Sequence, residues 1–135
     1  MNNPVQRASS ARAAIWYLGA LASIAIAAAS YRYLLGIGPM PPAVIKNAFA
    51  APWLLIHVAG AASALLVGSF QFIGRLRQAS PHIHRWTGRI YAVACLLGAL
   101  SGLILALGTT SGPVAMFGFG ILAVLWAVTI GYGWQ

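Results

Sequence analysis

The sequence predicts an all-α polytopic membrane bundle of four transmembrane helices, with both termini cytoplasmic. Three observations lead there. The 135 residues are 61% hydrophobic and 6% charged, where an ordinary soluble domain is about a quarter charged. The charges have one sign: eight Lys and Arg, with no Asp or Glu. The apolar residues gather into four runs, each near the roughly 20 residues that cross a bilayer core. Such a chain cannot present a solvated surface all round, and its length suits one domain.

Residues 1–12 form a basic N-terminal tail, and residues 13–135 the transmembrane domain. The tail resembles the start of a signal peptide, but the apolar stretch after it is too long for one and reads as a retained span. This first span, about 13–35, carries Trp16, Tyr17, Tyr31 and Tyr33 near its ends, where aromatics favour the headgroup level. Gly36, Gly38, Pro39, Pro41 and Pro42 then break the helix. The second span, about 52–73, opens on Pro52, a good first helical residue. A polar loop from Arg75 to Arg89 follows. The third span covers about 90–107, residues 108–113 turn, and the fourth span covers about 114–134.

With four spans, the N-terminus, the middle loop and the C-terminus share one side. That side holds Arg7, Arg12, Arg75, Arg77, Arg85 and Arg89, against Arg32 and Lys46 on the other. The bias places both termini inside. Gly98 and Gly102 form a small-residue pair on the third span, which suits close helix packing.

The missing carboxylates exclude much chemistry. No Asp or Glu can act as a general base, hold Mg²⁺ or Ca²⁺, or complete a serine-hydrolase triad. The net charge of +8 does not point to nucleic acid, because the cations are few and flank apolar runs; lipid bilayer and anionic headgroups are the expected partners. Cys95 reads as a small packing residue. Phe117, Phe119 and Trp126 read as core or lipid-facing aromatics.

Two constellations remain. In Ser80–Tyr91, Ser80 and Pro81 suit a helix start; His82, Arg85 and Arg89 share one face of the helix that follows, and His84, Gly88 and Tyr91 share another. Cations in an opening turn oppose the helix dipole. Arg75, Arg77, His82, Arg85 and Arg89 thus form either an interface anchor or a binding surface for lipid phosphate or another anion. Gln71 could bond the His84 region or face water. The second constellation is His57, about six residues into its span. It is either a ligand or proton-handling group or a satisfied interhelical hydrogen-bond partner. From His57 to the end of its span is about sixteen residues, roughly 24 Å. His57 and His84 therefore cannot both ligate one haem within a single chain.

The order of His57, Gly68-Ser69-Phe70-Gln71-Phe72, Arg75-x-Arg77 and His84-Arg85-Trp86-Thr87-Gly88-Arg89-Ile90-Tyr91, continuing to Trp126, resembles the bacterial membrane-protein family known as domain of unknown function 2306. The resemblance covers roughly Trp53 to Trp126. It implies a polytopic inner-membrane protein, with histidines at helix ends similar to those of haem-b bundles. Relatives usually continue into a further His- and Arg-containing block, so the chain is expected to be a short relative or a truncated product. A homo-oligomer or a membrane partner protein would then complete any bis-His site.

Three functions follow as expectations. A haem-b-type redox module would use His57 and His84 as ligands, with Arg85 and Arg89 on propionates. A non-catalytic scaffold or assembly subunit would bind anionic lipid or a partner protein. A small transporter would rely on His57.

Overall fold

The computed structural model describes residues 4–39, 46–71 and 73–133, and the side chains of 10–39, 46–71, 73 and 76–133. Pro41, Pro42, Phe72 and Trp134, and the side chains of Arg7 and Arg75, lie outside the described residues. The helices are α1 (Pro4–Tyr31), α2 (Ala50–Gln71), α3 (Gly74–Ala79), α4 (Pro81–Leu107) and α5 (Pro113–Gly133). All regular structure among the described residues is helical. Ser10–Tyr31, α2, α4 and α5 are each long and apolar enough to cross a membrane.

The interior inverts the pattern of a soluble protein. Apart from Val58, the buried side chains are small: Ala27, Ala62, Ala64, Ala92, Ala94, Ala99, Ala106, Ala123 and Ser101, with Cys95 the largest that is fully enclosed. Large apolar side chains point outward, among them Leu18, Val114 and Leu125. Lipid tails are as apolar as leucine, so helices gain nothing by hiding leucine from them. They gain by letting backbones approach, which only small residues allow. Some hydroxyls inside the spans return to their own helix: Ser30 donates to the Ile26 carbonyl at 2.7 Å and Thr129 to the Leu125 carbonyl at 2.9 Å, whereas Ser63 of α2 pairs with the Tyr31 hydroxyl of α1 at 2.8 Å. No polar group of theirs is then left facing lipid.

The centre of the bundle is the antiparallel pair α2–α4; α1 packs on α2 and α5 packs on α4. Along the pair, His57 lies against Gly102, Gly60 against Gly98, Gly68 against the Tyr91 ring, and Gln71 against Thr87. The crossing is closest at Gly60. A Cβ there would stand 2.7 Å from the Gly98 nitrogen and 2.8 Å from the Ala94 oxygen. Gly98 and Gly102 thus face α2, the first against the Ala61 backbone and the second against the His57 ring.

Helix ends follow local chemistry. Beyond Tyr31, α1 tightens and closes with Gly36 N–H on the Tyr33 carbonyl and Ile37 N–H on the Arg32 carbonyl. This is a Schellman cap, and it needs the left-handed residue that Gly36 supplies at φ +66. The last capped residue is therefore Leu35, although regular helix stops at Tyr31. At the same end of the bundle, the Asn47 carboxamide accepts from Ala50 N–H at 3.2 Å and donates to the Gly108 carbonyl at 3.1 Å. One side chain thus caps the start of α2 and ties it to the end of α4. Asn47→Ala is expected to lower stability by about 1 kcal/mol, the usual cost of a lost N-cap. Thermal unfolding in detergent checks this, with the exposed neighbour variant Lys46→Ala expected to match the parent chain.

The stretch from Arg75 to Arg89, expected as loop before a span at about 90–107, is largely helical: it holds most of the short helix α3 and, from Pro81, the first turns of α4. Ile73 opens α3 without a side-chain cap, and Ser80 separates it from α4. Ser80 and Pro81 take the N-cap and first-turn positions of α4, although the Ser80 hydroxyl makes no capping bond.

Candidate functional site

The structure holds two candidate regions, one at each end of the α2–α4 pair. The first is built on His57, seven residues into α2. Its Nδ1 lies 2.8 Å from the Gly98 carbonyl oxygen. A carbonyl only accepts, so Nδ1 carries the proton and donates. Nε2 makes no hydrogen bond among the described residues. The ring rests on Gly102, where a Cβ would come within 3.1 Å of both Cε1 and Nδ1.

His57 also lines a cavity of about 610 Å³ between α2, α4 and α5. The cavity has a simple origin: α5 packs on α4 alone, and no backbone contact joins it to α2 among the described residues. Leu54 of α2, Ala99 and Leu105 of α4, and Phe119, Leu122 and Trp126 of α5 supply apolar walls. Asn47, Thr109, Thr110 and Ser111 line the same cavity from the connecting segments. Trp126, expected as a core or lipid-facing aromatic, reaches across to Gly98 and packs against the cluster of Ala64, Ala94 and Cys95.

The second region is the basic end. Gln71 closes α2 by donating to the Thr87 hydroxyl at 2.6 Å. The Thr87 hydroxyl lies 3.0 Å from each of the Ile83 and His84 carbonyls. Gln71 thus reaches the His84 region through Thr87. Since α2 ends beside Thr87, the first turns of α4 stand proud of the pair. On this projecting part, Trp86 Nε1 donates to His82 Nε2 at 2.9 Å, and the Arg89 guanidinium carbon lies 5.2 Å from the Trp86 ring centre. Arg77 and Arg85 are exposed nearby in sequence. The His84 Nδ1 is buried without a partner among the described residues.

These positions sort the expected site residues. His57 and His84 do not converge: His84 lies fourteen residues along α4 from Gly98, about 21 Å. Arg89 lies nine residues from Gly98, about 13 Å, and it lines a different depression from His57. His57, His84, Arg85 and Arg89 therefore do not form one cofactor site within the chain. His82, Trp86 and Arg89 do come together. No three His, Cys, Asp or Glu side chains gather as a metal site among the described residues.

Four apolar helices with small residues inside and large ones outside define a polytopic helical membrane protein. The family model described as "predicted membrane protein (DUF2306)" matches residues 54–135, and the chain belongs to that family. The match takes in α2 from Leu54 through α5, including both candidate regions. No curated protein and no solved structure matches the chain.

Proposed function

We propose that the protein is a haem-b-type redox module of the bacterial inner membrane, in which His57 would be the ligand this chain supplies. One observation carries the reading: His57 donates its Nδ1–H to the Gly98 carbonyl, leaves Nε2 without a partner among the described residues, and lines a largely apolar cavity of about 610 Å³. Metal-ligating histidines are commonly held this way, with the second ring nitrogen fixed by a carbonyl or carboxylate. The cavity falls within the roughly 300–1,000 Å³ of small-molecule and cofactor sites. A haem there would supply a one-electron Fe(II)/Fe(III) couple tuned by burial and ligation. The chain's own groups do the rest. Gly98 fixes the imidazole tautomer, Gly102 gives the ring room, and Leu54, Leu105 and Phe119 exclude water. A second histidine would come from another copy or a membrane partner protein, since His84 is out of reach. The cation bias, six against two, supports a cytoplasmic basic end.

The test is a reduced-minus-oxidised absorption spectrum of detergent-purified protein from haem-replete cells. The expected result is a Soret band that shifts on reduction, is lost in His57→Ala and persists in His84→Ala. A flat spectrum overturns the redox reading.

A second reading has its own support. The basic end has Arg77, His82, Arg85 and Arg89 in a chain without Asp or Glu, so no side chain of this chain can supply their counter-anion. That favours a non-catalytic scaffold or assembly subunit, tolerant of His57→Ala and sensitive to loss of Arg85 or Arg89. No observation of its own favours a small transporter.

A further inference from the structure

A groove runs along the outer side of the α2–α4 pair, separate from the His57 cavity. Its volume is about 480 Å³. Ala59, Gly60 and Ser63 of α2 and Ala94 of α4 line it with small side chains, while Trp86, Arg89, Ile90, Val93 and Leu97 line it from α4. Trp86, Ile90, Val93 and Leu97 are about half exposed, so the groove opens outward.

We propose that this groove binds an anionic phospholipid, with its phosphate on Arg89 and one acyl chain along Ile90, Val93 and Leu97. Three observations converge on that occupant. The first is charge. Arg89 is exposed, its one described partner is the Trp86 ring face, and the chain has no Asp or Glu to neutralise it. Arg85, one turn earlier on the same face, adds a second cation.

The second is depth. α4 has 27 residues, about 40 Å of helix at roughly 1.5 Å per residue, against a hydrocarbon core of about 30 Å. α5 has 21 residues, about 31 Å, and so matches that core. The Gln71–Thr87 bond marks where α2 stops beside α4. Arg89 follows within one turn, at the boundary of the apolar slab, where lipid phosphates lie within reach of a long side chain.

The third is length. From Trp86 to Leu97 is about 16 Å of helix rise, close to one leaflet of a core about 30 Å thick. Trp86 suits the interface, being apolar in body with an N–H at its tip. That N–H is already spent on His82, so the indole is held as a platform beside the guanidinium. The site is independent of any haem at His57.

The experiment uses the full chain, purified in mild detergent and exchanged into nanodiscs containing equal phosphatidylglycerol and phosphatidylcholine. Lipid retained after delipidating washes is counted by native mass spectrometry. The expected result is preferential retention of phosphatidylglycerol, reduced about fivefold in Arg89→Gln, the effect of about 1 kcal/mol per cation near a membrane surface. Val93→Trp, which fills an outward-facing part of the groove, should reduce retention with every arginine in place. Arg12→Gln removes an exposed cation from α1 and should leave retention unchanged. Equal retention of the two lipids overturns the proposal. So does an Arg12→Gln loss as large as that of Arg89→Gln, because the attraction would then be a diffuse field. Unchanged retention in both Arg89→Gln and Val93→Trp overturns it too. Circular dichroism of each variant confirms that the helices persist.

Discussion

Gly60→Val is expected to remove a large share of the stability of the bundle. The atoms a side chain would strike are not side-chain tips that can swing away. They are the Gly98 nitrogen at 2.7 Å and the Ala94 oxygen at 2.8 Å, both helix backbone. Relief requires α2 and α4 to move apart, and this pair is the only link between α1 and α5 among the described helices. Overpacking a well-packed site typically costs about 1–3 kcal/mol, and a backbone obstacle places this variant at or above that range. Total stabilities are only about 5–15 kcal/mol. Unfolding by sodium dodecyl sulfate, followed by helical circular dichroism, reads the loss. Gly118→Ala supplies the contrast. Nothing lies within 4 Å of a Cβ there, and alanine favours a helix over glycine by up to about 1 kcal/mol. That variant is expected to be as stable as the parent or slightly more so. Equal unfolding curves for Gly60→Val and Gly118→Ala would show that α2 and α4 do not cross at this distance.

The parts of this architecture that composition can express were legible in the sequence. Four apolar runs without carboxylates specify spanning helices, because only a helix satisfies its own backbone within lipid. The spacing of Gly98 and Gly102 marks a face of α4. The partner face does not announce itself. Gly60 stands in Ala59-Gly60-Ala61-Ala62, where every residue is small and no period singles one out. Asn47 was silent for a related reason. Its cap on Ala50 is local, but its bond to Gly108 joins residues 61 positions apart, and only the register of α2 against α4 brings them together. The short helix α3 hid in a run of cations read as loop, six residues being too few to show a period.

The two candidate regions differ in the same way. His57 stands out in sequence because an ionisable group within an apolar span is unusual. Its hydrogen bond to Gly98 and its cavity are products of lateral packing, which no single span encodes. The basic end was readable as a cluster, and helical spacing already parted the His82 face from the His84 face; the contacts made on each face were not readable. His82, Trp86 and Arg89 share a face of α4 through spacings of four and three residues, and they bond or stack directly. His84 turns inward, where its Nδ1 is buried. One sequence block therefore serves two surfaces.

His57→Leu is expected to abolish ligand binding in the cavity while leaving the bundle folded, and the contrast between those two effects separates a ligand from a packing residue. The structural cost is small. The substitution removes one interhelical hydrogen bond, and such bonds inside membrane proteins average about 0.6 kcal/mol. Leucine is apolar and occupies much of the same space against Gly102. The unfolding curve should therefore stay near that of the parent chain and far from that of Gly60→Val. The binding cost is complete, because on the redox reading Nε2 of His57 would be the coordinating atom. The Soret band is expected to vanish. Gly102→Ala supplies a graded intermediate. Its Cβ would come within 3.1 Å of the imidazole Cε1 and Nδ1, so the ring must give by a few tenths of an ångström. The bond to Gly98 then weakens while Nε2 remains available. The expected signature is a haem that stays bound with an altered reduction potential, since the partner on the far ring nitrogen sets the basicity of the ligating one. A His57→Leu variant that keeps its chromophore removes His57 from the site. One that unfolds as readily as Gly60→Val makes the imidazole a packing element of the α2–α4 contact.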